Sequence, residues 1–403
     1  MKITKIDVML VHPDFRTGET TNMQAVFGKC RPIMVRIHTD EGIYGDGEAG
    51  MQFAFGALAA VGMLRDFAHL LIGMDPLKNE QIWDKLYRQG YFTQAGGPVI
   101  YAAVSAFDMA IWDIRGKYFN TSVATLLGGS RREKIRCYAS QLQFGWGADK
   151  TPATKAEQYA ENARKAIADG YSAVKFDFFT FDRDGRSFTE DDRTKLLSPY
   201  YVGLVEERVA AVREAIGPQK DLIVEGHSFT DAASAIQIGE AIRKYNIFYY
   251  EEACTPTPKM QKFVYDALGI PMSSGERIFS RWQYAPYIEN QSLQVLQPDL
   301  SNCGGITEAK KIADMAYIYD VSIQGHLCGS ALSVSATLQF ESVIPNFLIH
   351  EHHVEQFQPY MNDLCTNNFA PVNGWFDVPQ GPGLGTELSE YSLTHCDKWT
   401  IDC

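Results

Sequence analysis

The alternation of apolar and polar positions changes character about a third of the way along the chain. Up to about residue 130 it reads as mixed α+β. Met1-Lys2-Ile3-Thr4-Lys5-Ile6-Asp7-Val8 opens an alternating run that predicts a strand over 2–12. Pro32-Ile33-Met34-Val35-Arg36-Ile37, the polar Thr39-Asp40-Glu41-Gly42 and Ile43-Tyr44-Gly45 predict a hairpin. Helical periodicity follows at about 55–72, 78–89 and 98–119.

From about 135 short β-rich runs alternate with helical ones, as in βα units around a parallel sheet. Strands are predicted near 135–142, 172–179, 221–226, 247–252, 271–276, 293–298, 321–325 and 346–351. Helices such as Lys155–Ala168, Ala232–Tyr245 and Thr307–Tyr319 separate them. Eight such strands fit a closed barrel, so the expected class is α/β: a modified (β/α)8 barrel with an N-terminal α+β capping domain. The expected division is 1–130 for the cap and 131–360 for the barrel, joined near Gly128-Gly129-Ser130. The Asn-, Pro- and Gly-rich segment 361–403 is expected to return over the cap.

A length of 403 residues agrees with a barrel plus a smaller domain. No run approaches the roughly 20 apolar residues of a membrane span. The first residues lack the apolar stretch and cleavage site of a secretory signal, so a cytoplasmic location is expected. Eight cysteines without a Cys-x-x-Cys pair argue against zinc and against a disulfide framework. A net charge of −12 argues against nucleic-acid and anionic-membrane partners but leaves an acidic small molecule open if a cation supplies positive charge in the site.

Barrel sites form at the C-terminal ends of the strands, and here nearly every predicted strand ends in an ionisable residue. Strand 2 ends in Lys175-Phe176-Asp177, strand 3 in Glu225-Gly226-His227, strand 4 in Glu251-Glu252 and strand 5 in Glu276-Arg277. Strands 6, 7 and 8 end with Asp299, His326 and Glu351. Alternation sends Lys175 with Asp177, and Glu225 with His227, to one face each. Glu225, Glu251 and Glu276 on successive strands would repel one another unless a cation sat between them. Oxygen-only ligation points to Mg²⁺, one per subunit, with Mn²⁺ as a substitute.

These residues and spacings resemble the enolase superfamily, mandelate racemase subgroup, and within it the sugar-acid dehydratases of galactonate and mannonate type. Ala106-Phe107-Asp108 through Arg115-Gly116-Lys117, with Leu126-Leu127-Gly128-Gly129, resembles the helix and exit turn that lead into the barrel. The resemblance implies metal ligation by Glu225, Glu251 and Glu276. It also implies an Asp299–His326 dyad with His326 as base, and contact of Glu351 with the substrate carboxylate or the enediolate. Arg277 and Glu252 are expected to bind substrate. Glu225-Gly226-His227 resembles an acid-x-His motif whose histidine does acid/base work at a departing hydroxyl. The implied activity is Mg²⁺-dependent dehydration of an aldonate such as galactonate, gluconate or mannonate to a 2-keto-3-deoxy acid, in a symmetric homo-oligomer.

Two departures stand out. The family usually has aspartate where Glu225 stands, and often Lys-x-Lys where this chain has Lys175-Phe176-Asp177. Asp177 is expected to act as a base itself, or to hold Lys175 or an arginine of 181–200; Lys175 is either catalytic or purely electrostatic. The alternatives are a racemase or epimerase of an α-hydroxy acid using the same intermediate, and a homologue that binds a ligand without turnover. A barrel amidohydrolase is set aside because strand 1, Cys137-Tyr138-Ala139-Ser140-Gln141, has no His-x-His. Cap loops Pro13–Lys29 and about Ala49–Phe55 are expected to close over the mouth.

Overall fold

The computed structural model of the protein describes residues 1–13, 29–53, 55–91, 93–147 and 151–402. Strands β1 (Ile3–Val11), β2 (Ile33–Thr39) and β3 (Tyr44–Ala49) form the expected antiparallel meander. Gly42, with φ +77°, supplies the left-handed residue of the β2–β3 turn. The helices expected beside this sheet run Ala57–Leu71, Asn79–Gln89 and Pro98–Tyr118. Helix Pro98–Tyr118 lies so close to β3 that a Cβ on Gly47 would stand 2.0 Å from the Ala106 carbonyl oxygen. Only glycine permits that approach.

The parallel sheet contains β4 (Lys134–Ser140), β5 (Ala173–Asp177), β6 (Asp221–Glu225) and β7 (Tyr249–Glu251). It continues through β8 (Met272–Ser274), β9 (Val295–Leu296), β10 (Ser322–Ile323) and β11 (His350–His353). Each strand pairs with its sequence neighbour from β4 to β10, and β11 returns to β4. The ring closes through a parallel bridge between Ile323 and Phe347, where Ile323 N donates to Asn346 O at 2.8 Å and Leu348 N donates to Ile323 O at 2.9 Å. The fold is therefore the expected modified (β/α)8 barrel under an α+β cap. The eighth strand differs in position: expected near 346–351, it is laddered to β4 over 350–353, because residues 346–348 are taken up in closing the ring.

The chain then adds β12 (Trp375–Asp377) antiparallel to β4, and β13 (Cys396–Asp402) antiparallel to β1 with Val8 opposite Trp399. The motif helix Pro98–Tyr118 is the joint between cap, barrel and this returning segment. Asp108 accepts from Thr307 N at 2.9 Å and Thr307 Oγ1 at 2.6 Å on the barrel helix Gly305–Tyr317. Asp113 accepts from Leu384 N at 2.9 Å and pairs with Lys117 at 2.7 Å.

Two-residue periodicity makes the barrel interior a stack of layers. Tyr138, Ala173, Ile223, Tyr249, Val295 and Ile349 form a buried apolar cluster that floors it. Two residues further along the same strands stand Ser140, Lys175, Glu225, Glu251, Gln297 and Glu351, all buried. Two further again are Asp177, His227, Asp299 and His353 at the rim. The charged layers thus sit on a buried apolar floor. Among the described residues no helix is long and apolar enough to cross a membrane, and the seven described cysteines are free.

Candidate active site

Lys175 occupies the centre of the middle layer. Its ammonium lies 2.7 Å from Glu251 Oε1, 2.9 Å from Glu351 Oε1 and 3.2 Å from Glu225 Oε2. Burial disfavours the charged lysine, but the three carboxylates outweigh it and push its pKa well above the ordinary value. Lys175 is therefore a fixed ammonium, tied to three acids.

Carboxylate oxygens of Glu225, Glu251 and Glu276 all come within 4.8 Å of one another. Glu251 Oε2 is buried and has no hydrogen-bond partner; Glu225 Oε1 also accepts no hydrogen bond, though His227 Nε2 is 3.1 Å away. Burial, with the charges of Glu225 and Glu351, pushes the Glu251 carboxyl up to about 8 against the pull of Lys175. Seven acids, Asp177, Glu225, Glu251, Glu252, Glu276, Asp299 and Glu351, face the permanent cations Lys175 and Arg277, with Arg193 acting on Asp177. Orphaned oxygens, an all-oxygen donor set and excess negative charge fit a hard divalent cation such as Mg²⁺. The extra methylene of Glu225 is accommodated by Gln141, whose Nε2 donates to Glu225 Oε2 at 2.5 Å from a left-handed backbone position, φ +63°.

Two imidazoles flank this trio, each held from behind by an aspartate. His326 Nδ1 lies 2.8 Å from Asp299 Oδ2, leaving Nε2 at 3.0 Å from Glu276 Oε2. His227 Nδ1 lies 2.6 Å from Asp177 Oδ2, which leaves Nε2 facing Glu225. Burial lowers both imidazole pKa values, but the neighbouring acids reverse this: Glu276 and Asp299 take His326 well up, and Glu225 and Asp177 take His227 to about 9. Among the described residues Asp177 does not make the expected ion pair with Lys175; its partner is His227, and the charge of Arg193, from the segment 181–200, also helps to lower its pKa. The other oxygen of Asp177 accepts Phe179 N at 2.6 Å, and Lys175 is fully engaged by glutamates. His227 takes a left-handed φ of +45°, and its ring reaches Asp177 at the end of β5.

The remaining expected residues converge on the same mouth. Glu351 accepts from Ser140 Oγ at 2.6 Å and from Leu327 N at 3.0 Å. Burial raises its carboxyl, but Lys175, His326, His353 and Ser140 outweigh that and bring it to about 2. Arg277 bridges Glu252 and Glu276, while Glu252 also accepts from Ser228 Oγ at 3.2 Å and Ser274 Oγ at 3.4 Å. Residues of the mouth absent from the expected set are Gln141, Ser140 and His353; strand-end position alone marks the first two. Of the cap loops expected over the mouth, residues 14–28 and 54 lie outside the described residues. Gln52, from the second loop, donates to the carbonyl of Cys328 just beyond His326.

A capped (β/α)8 barrel with three glutamates on successive strand ends and an Asp–His dyad opposite defines the enolase class of barrel enzymes. Comparison with known proteins agrees. Residues 158–392 match the family described as enolase C-terminal domain-like, and residues 5–128 match the mandelate racemase / muconate lactonizing enzyme N-terminal domain. The chain belongs to the enolase superfamily, in its mandelate racemase subgroup.

The chain is similar to a protein of Zymomonas mobilis provisionally named a dehydratase: 46% identity, TM-score 0.94, with all of both chains covered. An enolase superfamily member from Salmonella Typhimurium has 44% identity and a TM-score of 0.94, again over all of both chains. A mandelate racemase/muconate lactonizing enzyme from Sulfitobacter has 30% identity and a TM-score of 0.86, covering 98% of this chain and 95% of the other.

Proposed function

We propose that this enzyme is a Mg²⁺-dependent dehydratase of a sugar acid, converting an aldonate to a 2-keto-3-deoxy acid. The observation that carries this reading is the pair of aspartate-backed histidines on either side of one carboxylate trio. Dehydration needs a base for the C2 proton and an acid for the departing C3 hydroxyl, and imidazole serves as either near neutral pH.

Glu225, Glu251 and Glu276 would hold the ion. When bound, Mg²⁺ supplies Lewis-acid stabilisation of the negative charge that develops on the substrate carboxylate. His326, neutral when a cation among the glutamates would offset the acids that raise its pKa, takes the C2 proton at Nε2, with Asp299 fixing the ring through Nδ1. His227 delivers a proton from Nε2 to the C3 hydroxyl, which leaves as water, with Asp177 in the orienting role. The resulting enol tautomerises to the keto acid. Lys175 and Glu351, locked to each other, set the charge of the middle layer, and Arg277 and Glu252 form the side wall.

Two oriented imidazoles also suit a second reading, epimerisation at C2, in which one removes the proton and the other returns it on the opposite face. A screen of aldonic and aldaric acids with Mg²⁺, read by a carbonyl reagent against an EDTA-treated control, separates the two. Keto acid confined to one or a few stereoisomers supports dehydration. An isomer without keto acid moves the function to epimerisation.

A further inference from the structure

β11 carries three histidines in the run His350-Glu351-His352-His353, and alternation splits them. His350 and His352 face outward: His350 Nδ1 lies 2.6 Å from Glu341 Oε2, and His352 Nδ1 is 2.5 Å from the Tyr171 hydroxyl, among the rings of Trp146 and Phe357. His353 shares the inward face with Glu351 and stands opposite Ser140 on β4. Its Nδ1 accepts the Glu355 N–H at 3.1 Å, so the neutral ring carries its proton on Nε2. Among the described residues nothing hydrogen-bonds that Nε2, although His353 is only 4% exposed.

Burial, followed by the positive charges of Lys175, His326 and His227, outweighs the pull of Glu351 and brings this imidazole to about 3. Its tautomer and its neutrality are both set by the surroundings, so it offers the mouth a permanent N–H donor. Two residues of strand separate it from Glu351, about 7 Å. Glu351 is tied through Lys175 to the ion-holding glutamates, so the acid head of a substrate lies at its level and the donor one layer above.

Resting on the sugar-acid reading, we propose that His353 is a substrate-binding residue whose Nε2–H donates to a hydroxyl beyond C3, selecting acids longer than three carbons. The test uses the Mg²⁺-loaded full chain in a His326→Asn background, which suppresses turnover. Dissociation constants are read by calorimetry for D-gluconate, D-galactonate and D-mannonate, with three-carbon D-glycerate as control. His353→Phe is expected to weaken the tightest aldonate about 3- to 10-fold and to leave glycerate unchanged. His353→Gln, whose amide reaches as far as Nε2, is expected to recover most of the loss.

Equal loss on aldonate and glycerate, no loss on either, or no aldonate binding more tightly than glycerate would each overturn the proposal. Keto-acid production by the parent enzyme is read separately. A His353-dependent aldonate affinity without keto acid would remove the dehydratase and leave this site standing.

Discussion

Asp177 holds His227 at 2.6 Å in the same way that Asp299 holds His326 at 2.8 Å, so the mouth contains two oriented imidazoles where the family resemblance implied one dyad and a lone histidine. The second dyad takes the place opened by the missing strand-2 lysine.

That arrangement gives Asp177 a positioning role that kinetics can isolate. Asp177→Asn should lower kcat for keto-acid formation by about 10²-fold, within the range of a lost acid–base group. His227→Asn should fall as far, and the double variant little further, because the two act as one unit. Additive losses in the double variant would mean that Asp177 works elsewhere.

The two histidines should separate the half-reactions. His326→Asn should abolish both solvent deuterium exchange at C2 and keto acid, by about 10²- to 10⁴-fold. His227→Asn should retain C2 exchange while losing keto acid. Full turnover by His326→Asn would remove it from the mechanism.

Ion binding should appear as stability. At Mg²⁺ 100-fold above its dissociation constant, the gain is about 2.7 kcal/mol, seen as a higher Tm relative to the EDTA-treated protein. Glu251→Gln, which cannot ionise to offer the ion an anionic oxygen, should abolish most of that gain. Identical melting with and without Mg²⁺ would refute the carboxylate trio as an ion site.

The joint at Asp108 should impose a pH dependence on folding. Burial pushes this carboxyl up to about 7, despite two hydrogen bonds from Thr307. Between the unfolded value near 4 and about 7 the folded state binds the extra proton, so this group's contribution falls as pH rises through that window. The loss is on the order of 4 kcal/mol, nearly complete by about one pH unit above the folded value. Asp108→Asn should flatten that slope in denaturant melts taken from pH 4 to 8, whatever it does to absolute stability. An unchanged slope would place the titration elsewhere.

Close approach of β3 to the motif helix predicts opposite outcomes for two glycines. Gly47→Ala should destabilise by about 1–3 kcal/mol, because its Cβ has nowhere to go. Gly62→Ala, on a helix with nothing within 4 Å, should stabilise by about 0.5–1 kcal/mol. Urea midpoints decide both.

Much of this was legible in the sequence, because barrel strands carry their functional residues at their ends and alternate strictly. Lys175, Glu225, Glu251 and Glu351 fall in one layer by counting in twos, and all four meet in the structure. What escaped depends on backbone that residue type does not announce. Nothing about a histidine says that it will adopt φ +45°, so the Asp177–His227 pair could not be anticipated. His353 was hidden because the eighth strand runs past Glu351, and the ring-closing bridge that displaces it joins residues 24 positions apart, Ile323 and Phe347. Glu276 lies beyond the end of β8, so its place at a strand end was legible from the charge pattern although the strand itself stops at Ser274.

The stacking of floor, middle and rim residues on shared strands has a historical consequence. Each layer is addressed by its own codons, so a substitution at the rim leaves the identity of the glutamates below and of the apolar floor beneath them unchanged. A lineage built on such a barrel can exchange its proton donors one at a time while never losing its grip on the acid head. It can drift from one substrate to another without passing through a collapsed fold.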